Sequence, residues 1–231
     1  MPGQLFLLPN LLDKEAEHQL FFPISVDRAV ASLQGIIAEN EKEARAYLKR
    51  FNAPFREFPI RLLNEHTQDI EELLTPMRNG ETWGLISDAG LPVLADPGYL
   101  LVRRARILGI GVTAFIGPSS IVLALMLSGL PAQRFAFHGY FPYEPGQVLK
   151  KLEERSKEEK ATQIFMEAPY RNEKFLGTLL ATLSDQTVLS VAWDLTMPTQ
   201  GVETYLIKEW KKRPLPSIHK HPAVFLFNSI N

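Results

Sequence analysis

The stretch WGLISDAGLPVLADPGYLLVRRA, from Trp83 to Ala105, decides the fold class of this chain. Its start, WGLISD at 83–88, is apolar and carries few charges, which predicts a buried strand. Its last residues belong to YLLVRRARILG at 99–109, a pattern that predicts a helix ending at Gly109. Between them, residues 87–98 hold two Asp, two Gly and two Pro, so a long loop joins the carboxyl end of a strand to a helix. This order is typical of α/β folds.

Short β-prone runs and amphipathic helical runs alternate outward from this stretch. In the first half, the sequence predicts strands at 4–9, 36–40, 83–88 and 112–117, and helices at 27–35, 41–51, 67–80, 99–109 and 119–130. A further strand at 55–60 is predicted at a sheet edge, because Pro59 argues against a central position. In the second half, strands are predicted at 134–142, 162–169, 187–196, 201–210 and 222–230, with helices at 147–160 and 172–184.

This pattern predicts an α/β protein with a mainly parallel sheet in the first half and more antiparallel strands in the second. We place an N-terminal α/β domain at 1–117 and a C-terminal α/β domain at 118–231. Three helix starts carry capping residues. Ser25 or Asp27 lies near the start of the helix at 27–35. Asn40 precedes the helix at 41–51, with Glu43 three residues later, and Ser119 or Ser120 lies at the start of the helix at 119–130.

The composition excludes several classes of protein. The 231 residues are 45% hydrophobic and 22% charged, as in ordinary globular proteins. There is no cysteine, which excludes disulfides, thiolate catalysis and cysteine-bound zinc. No apolar run is long enough for a membrane span, and the first residues lack a secretion signal, so we expect a cytoplasmic protein without membrane partners. The net charge of −1 means that a nucleic-acid partner would need a local basic patch.

Three short motifs are better explained by ordinary structure. GIGVTA at 109–114 matches a dinucleotide fingerprint, but a helix precedes it and a strand follows, so a helix end is favoured. His219 and His221 are spaced like metal ligands but have no carboxylate near them in sequence, and we expect no metal. KKRPLPSIHKH at 211–221 and the arginines at 103, 104 and 106 could contact RNA phosphates or simply face solvent.

Three strand-to-helix junctions are candidates for a ligand site. In the first, small residues let a ligand approach the backbone of residues 87–98, while Asp88 and Asp96 suit a positively charged group. The second, FIGPSS at 115–120, offers free N–H groups and hydroxyls. The third, FMEAPYRN at 165–172, places Glu167 at a strand end in the second half. Three such loops in two halves predict a ligand cleft between the domains.

Four motifs occurring in order resemble the tetrapyrrole methylase superfamily of S-adenosylmethionine-dependent methyltransferases. They are LISDAGLPVLADPG, GPSS with LSGLP, FAFHGYFP and FMEAPYRN. The resemblance extends over about residues 5–227 and is strongest to the branch that methylates a ribose hydroxyl of small-subunit ribosomal RNA. It implies two α/β/α-like domains, S-adenosylmethionine bound in the cleft between them, and a homodimer.

The resemblance also implies which residues bind the methyl donor. They are Pro9, Ser87, Asp88, Ala89, Gly90, Ser119, Ser120, Met166 and Glu167. Asp13, Glu39 and Asp96, on loops expected to face the cleft, are the candidates for a general base. The chain departs from the family in its first loop, LPNLLDKE, and at ENEKEAR and WDLTMPTQGVE, where the substrate should bind.

These observations favour an S-adenosylmethionine-dependent methyltransferase that acts on RNA, with KKRPLPSIHKH helping to hold it. One alternative is a methyltransferase of the same fold that acts on a tetrapyrrole or another small molecule. Another is a non-catalytic relative that binds the donor or RNA, which the changes on the substrate side would favour.

Overall fold

A computed structural model describes residues 3–64, 67, 69–141 and 146–229 of the chain. The chain divides into two compact units, Met1–Ser119 and Ser120–Asn231, each built on one five-stranded sheet. The α/β class agrees with the prediction, and the division falls just after the expected boundary at Gly117. Gln68, Pro142 and Ile230, which belong to predicted elements, lie outside the described residues.

The sheet of the first unit is parallel throughout, with strand order β3-β2-β4-β1-β5. Its strands are β1 Gln4–Leu7, β2 Gly35–Ala38, β3 Ile60–Leu62, β4 Thr82–Leu85 and β5 Gly111–Ala114. The helices are α1 Ile24–Ala31, α2 Glu41–Arg50, α3 Ile70–Arg78 and α4 Tyr99–Ile107. Because all five strands run the same way, their carboxyl ends meet at one edge of the sheet.

The helices of this unit cover both faces of its sheet. Alternating residues of β2 show this directly, since Ile36 packs in one core cluster and Ile37 in the other. The first cluster contains Val26 of α1 and Leu48 of α2. The second cluster contains residues of α3 and α4, such as Leu74 and Leu101. Burial on both faces explains why the strands read as nearly continuous apolar runs.

The strands predicted at 4–9, 83–88 and 112–117 end earlier, at Leu7, Leu85 and Ala114. Two further predictions for this unit were wrong in detail, in both cases at a proline. Helix α1 begins at Ile24, because Pro23 adopts the extended conformation of an N-cap, and neither Ser25 nor Asp27 caps it. Strand β3 follows Pro59 rather than including it: the Pro59 carbonyl accepts a hydrogen bond from Ile36 N at 2.9 Å, and the strand starts at the next residue. Its position at the sheet edge is as predicted.

The sheet of the second unit has strand order β6-β7-β10-β8-β9. Its strands are β6 Phe135–Tyr140, β7 Thr162–Met166, β8 Thr187–Trp193, β9 Gly201–Leu206 and β10 Ala223–Ser229. The helices are α5 Ser120–Ser128, α6 Gly146–Glu159, α7 Asn172–Thr182 and α8 Ile207–Trp210. Only β6 and β7 pair in parallel, and the other three pairings are antiparallel, which confirms the predicted change of pattern.

The strands predicted at 162–169, 187–196 and 201–210 all end earlier, at Met166, Trp193 and Leu206. The run predicted at 201–210 forms β9 only as far as Leu206, and its last residues form the short helix α8. Ile207 and Trp210 are both fully buried, a spacing of three that suits a helical turn and not a strand. Across the part of the chain that the structure describes, no helix is long and apolar enough to span a bilayer.

Candidate functional site

The loop after β1 clamps the loop after β4. Asn10 is only 4% exposed, and its backbone forms a two-way bridge with Gly90, with N···O distances of 2.7 and 3.1 Å. The Asn10 side-chain nitrogen donates to the carbonyl of Ser87 at 2.9 Å and to that of Asp88 at 3.2 Å. Its side-chain oxygen accepts from Leu11 N at 2.9 Å and from Arg50 at 3.1 Å. The buried amide therefore fixes the path of the loop that carries the predicted donor residues.

The loop after β5 meets the same two loops. Gly90 has a φ of 73°, and a Cβ added to it would lie 3.6 Å from the carbonyl oxygen of Pro118. A Cβ added to Gly117 would collide with the ring of Pro9. Pro9, Gly90 and the residues before Ser119 are thus brought together at the carboxyl edge of the first sheet. The close approach to Pro9 requires glycine at position 117, and the positive φ favours glycine at position 90.

Asn40 joins the loop after β2 to this group. As predicted, it caps α2, since its side-chain oxygen accepts from Glu43 N at 2.8 Å. Its side-chain nitrogen also donates to the Asp88 carboxylate at 3.1 and 3.3 Å. The loop after β3 joins as well, because Asn64 donates to the carbonyl of Glu39 at 3.2 Å. Loops from all five strands therefore converge.

Three carboxylates within this group have raised pKa values. Burial, with the negative charges of Asp96 and Asp88 adding to it, raises the pKa of Glu39 to about 7. Burial and the nearby Asp88 raise the pKa of Asp96 to about 6, although a hydrogen bond from Ser87 opposes the change. Burial, followed by Glu43, raises the pKa of Asp88.

The hydrogen-bond partners of these three carboxylates are neutral. Asn40 donates to Asp88, and hydrogen bonds with Ser87 and with the Asp88 backbone lower the pKa values of Asp96 and Glu39. No ion pair to Glu39, Asp88 or Asp96 is found among the described residues, and one buried oxygen of Glu39 has no hydrogen-bond partner there. Lys14 lowers the pKa of Asp88 and so offsets part of this negative charge. Three acidic groups that lie close together without an ion pair still make a site that would gain from binding positive charge. The carboxylate of Asp13, the third candidate base, accepts from Glu15 N at 3.0 Å within a turn.

The backbone of residues 87–98 is strained. Val93 and Ala95 adopt left-handed conformations, with φ of 77° and 69°. A β-branched residue is rarely found there, and such strain is typical of ligand-binding loops. The Ser87 hydroxyl lies 2.9 Å from the carbonyl of Ala89 and also contacts the Asp96 carboxylate, so its single proton can be donated to only one of the two at a time.

At the carboxyl edge of the second sheet, the predicted residues lie at the end of β7. Met166 ends the strand, and Glu167, 5% exposed, follows it. The Glu167 carboxylate accepts from Ala168 N at 2.8 Å and pairs with Arg171 at 2.9 Å. Its charge is thus already balanced. Of the two serines predicted at the start of α5, Ser119 is buried and ends the first unit, while Ser120 is the first helical residue.

Sequence reasoning missed a carboxylate–imidazole pair in this unit. Asp194, 2% exposed, accepts a hydrogen bond from His221 Nδ1 at 2.7 Å. Asn172 was also missed: it is fully buried and donates to the carbonyl of His221 at 2.6 Å. Asp194 and His221 lie far apart in the sequence, so no local spacing indicates that they meet.

The weaker motifs take ordinary structures. GIGVTA follows α4 and enters β5, with Gly109 at a φ of 72°, so it is a helix end as predicted. Arg104 pairs with Glu71. In the basic stretch, Lys211 pairs with Asp185 at 2.6 Å, and the Arg213 guanidinium lies 4.0 Å from the centre of the Tyr205 ring. A search of the described residues finds no group of three or more His, Asp or Glu arranged to hold a metal.

Two curated relatives illustrate what the chain is similar to. It is 39% identical over 163 residues to ribosomal RNA small subunit methyltransferase I of Xylella fastidiosa, covering 70% of this chain and 58% of the relative. It is 33% identical over 200 residues to the protein of the same name from Escherichia coli O157:H7, covering 84% and 66%. The chain thus spans less than two thirds of the length of either relative.

Solved structures and a family model agree on the fold. The methyltransferase CobJ superposes with a TM-score of 0.62 at 15% identity, covering 98% of this chain and 93% of that one. Uroporphyrin-III-C-methyltransferase from Thermus thermophilus gives a TM-score of 0.55 at 16% identity, covering 99% and 93%. These likenesses confirm the predicted fold. Since the model for tetrapyrrole (corrin/porphyrin) methylases matches residues 25–210, most of the sequence, the chain belongs to that family.

Proposed function

We propose that this protein is an S-adenosylmethionine-dependent methyltransferase that methylates a ribose hydroxyl of small-subunit ribosomal RNA. The similarity to the relatives from Xylella and Escherichia, at 39% and 33% identity over most of this chain, carries the proposal. The structures of the tetrapyrrole enzymes, at 16% identity or less, support the fold and no particular substrate. A ribosomal RNA substrate also implies a cytoplasmic location.

The carboxyl edge of the first sheet fits a methyl donor that carries positive charge. The donor has a sulfonium and an ammonium group, and Glu39, Asp88 and Asp96 present three carboxylates that form no ion pair among the described residues. The close approach of Gly117 to Pro9 leaves no room for a side chain at position 117, where two of the loops meet. We propose that Pro9, Ser87, Asp88, Ala89, Gly90, Ser119, Ser120, Met166 and Glu167 contact the donor.

When bound, the donor supplies a methyl group that its sulfonium has already activated. The protein therefore has to align the acceptor oxygen with the methyl carbon and the sulfur, and to receive the proton of the hydroxyl. Positive charge close to Glu39 and Asp96 favours their ionised forms and makes them weaker bases. We therefore assign these two carboxylates to holding the donor. Asp13, engaged in a turn, has no such role.

A cluster of four cations on the second unit is proposed to hold RNA. Lys211, Lys212, Arg213 and Lys220 are all exposed, and this is the most basic stretch of a chain whose net charge is −1. In the RNA-free protein, the ion pair with Asp185 neutralises part of the charge of Lys211. If the four cations contact four phosphates of a single strand, log affinity falls with log salt with a slope of roughly −3.

We also propose a homodimer, for which the second unit offers apolar surface. Helix α5 is apolar on all sides, and its Val122 and Met126 are 47% and 72% exposed. Strand β6 lies at the sheet edge with exposed Phe135 and Tyr140. A dimer that covers α5 would remove this surface from water. Light scattering at micromolar concentration should give about twice the 26.1 kDa of one chain, and a single-chain mass would refute this part of the proposal.

Donor binding is tested by calorimetry with S-adenosylmethionine and S-adenosylhomocysteine. We expect binding of both without added metal, and a loss of roughly tenfold or more in affinity for Asp88→Ala, since this carboxylate lies in the clamped loop. Asp185→Ala removes an exposed carboxylate of the second unit and serves as the matched control. Absence of heat with either ligand would refute the proposed function.

The substrate is tested with a labelled methyl group. The protein and donor are incubated separately with deproteinised ribosomal RNA, intact small ribosomal subunits and a tetrapyrrole precursor. Label at one ribose of the RNA is the expected result. Label only in the precursor would replace the RNA proposal with a small-molecule methyltransferase. Tight donor binding without any labelled acceptor would indicate a non-catalytic relative.

A further inference from the structure

Asp194 and His221 lie at the same sheet edge as the end of β7. Asp194 follows the last residue of β8, and His221 lies two residues before β10. Strand β10 runs antiparallel between β7 and β8, so its start lies beside their carboxyl ends: Ala223 pairs with Trp193 and Val224 with Met166. The pair is therefore next to the end of β7, where Met166 and Glu167 are proposed to contact the donor.

The contact between the two side chains leaves one imidazole nitrogen available. His221 Nδ1 lies 2.7 Å from the Asp194 carboxylate, and Thr199 donates to the same carboxylate oxygen at 2.7 Å. A buried carboxylate that accepts from Nδ1–H fixes the tautomer in which Nε2 carries a lone pair. The His221 side chain is 43% exposed, and no described residue forms a hydrogen bond to Nε2.

Three further contacts hold this pair in place. The buried Asn172 amide fixes the carbonyl of His221, and Asp194 N donates to the carbonyl of Pro222 at 3.0 Å. Lys220 N donates to the carbonyl of Pro169 at 3.0 Å, which ties the His221 loop to the segment after β7. Asp194 and Lys220 both adopt left-handed backbone conformations, with φ of 50° and 65°. Strain of this kind, held by surrounding contacts, is common at functional sites.

The pair has too few ligands for a metal site. One imidazole and one carboxylate do not form a group of the size that metals require, and the search of the described residues finds none. A purely structural ion pair would not require that the second nitrogen, Nε2, be left without a hydrogen-bond partner among the described residues. A buried acid that orients a half-exposed histidine is instead the arrangement of a general base.

We propose that His221 is the general base of the methyl transfer and that Asp194 is its positioning residue. This inference rests on the proposed function. As the acceptor oxygen bonds to the methyl carbon, the carbon–sulfur bond breaks and its electron pair remains on sulfur. The hydroxyl proton passes to Nε2 of His221, so that the products are a methyl ether, a neutral thioether and an imidazolium. The positive charge of the sulfonium is thereby transferred to a histidine whose Nδ1–H faces a carboxylate.

Activity measurements test the role of His221 directly. His221→Asn keeps an N–H group near the position of Nδ1 but has no base, so the protein should fold and bind donor with affinity within about threefold of the original. We expect the rate of a single turnover with saturating donor and RNA to fall by roughly 10²-fold or more. For His221→Ala, added imidazole should restore part of the rate, since the half-exposed side chain leaves an open space.

His18→Asn is the matched control, because it removes another imidazole that pairs with a carboxylate, Asp27 at 2.9 Å, and that belongs to neither the proposed donor site nor the proposed RNA-binding stretch. We expect its rate to stay within about threefold. If His221→Asn also stays within tenfold, or if imidazole fails to raise the rate of His221→Ala, the assignment of the base is wrong. If the unaltered protein binds donor but labels no RNA, the proposed function fails first and the inference fails with it.

A spectroscopic measurement is independent of activity. In the ¹⁵N spectrum of the folded protein, neutral His221 should carry its proton on Nδ1 and show a bare Nε2. Asp194→Asn offers an N–H in place of an acceptor, so the proton should move to Nε2, and the turnover rate should fall at least tenfold. A neutral His221 that is already protonated on Nε2 in the unaltered protein would overturn the proposal.

Discussion

The two sheet edges place acidic groups in equivalent positions but treat their charge in opposite ways. In the first unit, Glu39 and Asp96 are desolvated beside Asp88, with raised pKa values and no ion pair among the described residues. In the second unit, Glu167 pairs with Arg171, and Asp194 accepts from His221 and Thr199. Both edges receive the carboxyl ends of strands, so topology alone does not determine how the carboxylates are used.

The difference indicates what each edge contributes. Unbalanced negative charge costs stability in the free protein, and a cationic ligand recovers that cost on binding. Side chains whose charges are already paired are held in fixed positions, and they can therefore orient a reacting group. We therefore regard the first edge as the one that binds the charged donor and the second as the one that positions the acceptor chemistry.

The largest expected effect concerns the clamp in the first unit. Asn10→Leu keeps the approximate size of the side chain but removes four hydrogen bonds, to the carbonyls of Ser87 and Asp88, Leu11 N and the Arg50 guanidinium. Buried partners left unsatisfied should lower the free energy of unfolding by about 3 kcal/mol. Donor affinity should fall with it, since the loop after β4 loses its support. Urea unfolding and calorimetry measure the two effects.

Asn79→Ala is the control for this change. Asn79 is exposed at the end of α3, and its replacement should cost less than about 0.5 kcal/mol. If Asn10→Leu binds the donor as well as the unaltered protein does, the converging loops of the first edge do not hold the donor. The assignment of donor binding to that edge would then be wrong.

How far the sequence predicts these features depends on whether the deciding contact is local. The Asn40 cap was predictable because its partner Glu43 is three residues away, and the junction at 83–109 because hydrophobic periodicity changes within it. The start of β3 was not predictable from the local sequence, because the Pro59 carbonyl accepts a hydrogen bond from Ile36 in a strand that is distant in sequence. Asp194 and His221 meet only through the antiparallel pairing of β8 with β10. The raised pKa of Glu39 depends on burial and on Asp88 and Asp96, which are distant in sequence.

An intermediate effect is expected at the second edge. Glu167→Gln can still accept from Ala168 N, but it removes the charge that balances Arg171, whose side chain is 30% exposed. Loss of one member of a largely buried ion pair should destabilise the protein, by about 2 kcal/mol after allowance for solvent at Arg171. Glu159→Gln, which breaks the exposed pair with Arg155, should cost less than about 0.5 kcal/mol. Equal effects in urea unfolding would show that Glu167 is no more constrained than a surface residue.

At the first edge, Glu39→Gln should stabilise the protein, whereas Glu167→Gln destabilises it. Its effect on the free energy of unfolding should be smaller than those of Asn10→Leu and Glu167→Gln. The pKa of Glu39 is about 7 in the folded protein and near 4.5 when unfolded. Between these values the folded state holds more protons, so this group contributes stability below pH 4.5 that is lost as the pH rises through 7. Glu39→Gln removes the ionisation. It should therefore leave stability at pH 4.5 nearly unchanged and increase it by about 1 kcal/mol at pH 8, once the shift is discounted for partial exposure.

Urea unfolding of the donor-free protein from pH 4.5 to 8 tests this sign. The unaltered protein should lose stability across that range, and Glu39→Gln should flatten the loss, whereas Glu167→Gln should be destabilised at pH 8. Glu41→Gln, an exposed acid at the start of α2, is the control and should not flatten the curve. A saturating donor should reverse the advantage of Glu39→Gln, because the ionised carboxylate then has a cation to face. If Glu39→Gln is destabilised at pH 8 without donor, the carboxylates of the first edge are balanced after all, and the assignment of that edge to the charged donor is wrong.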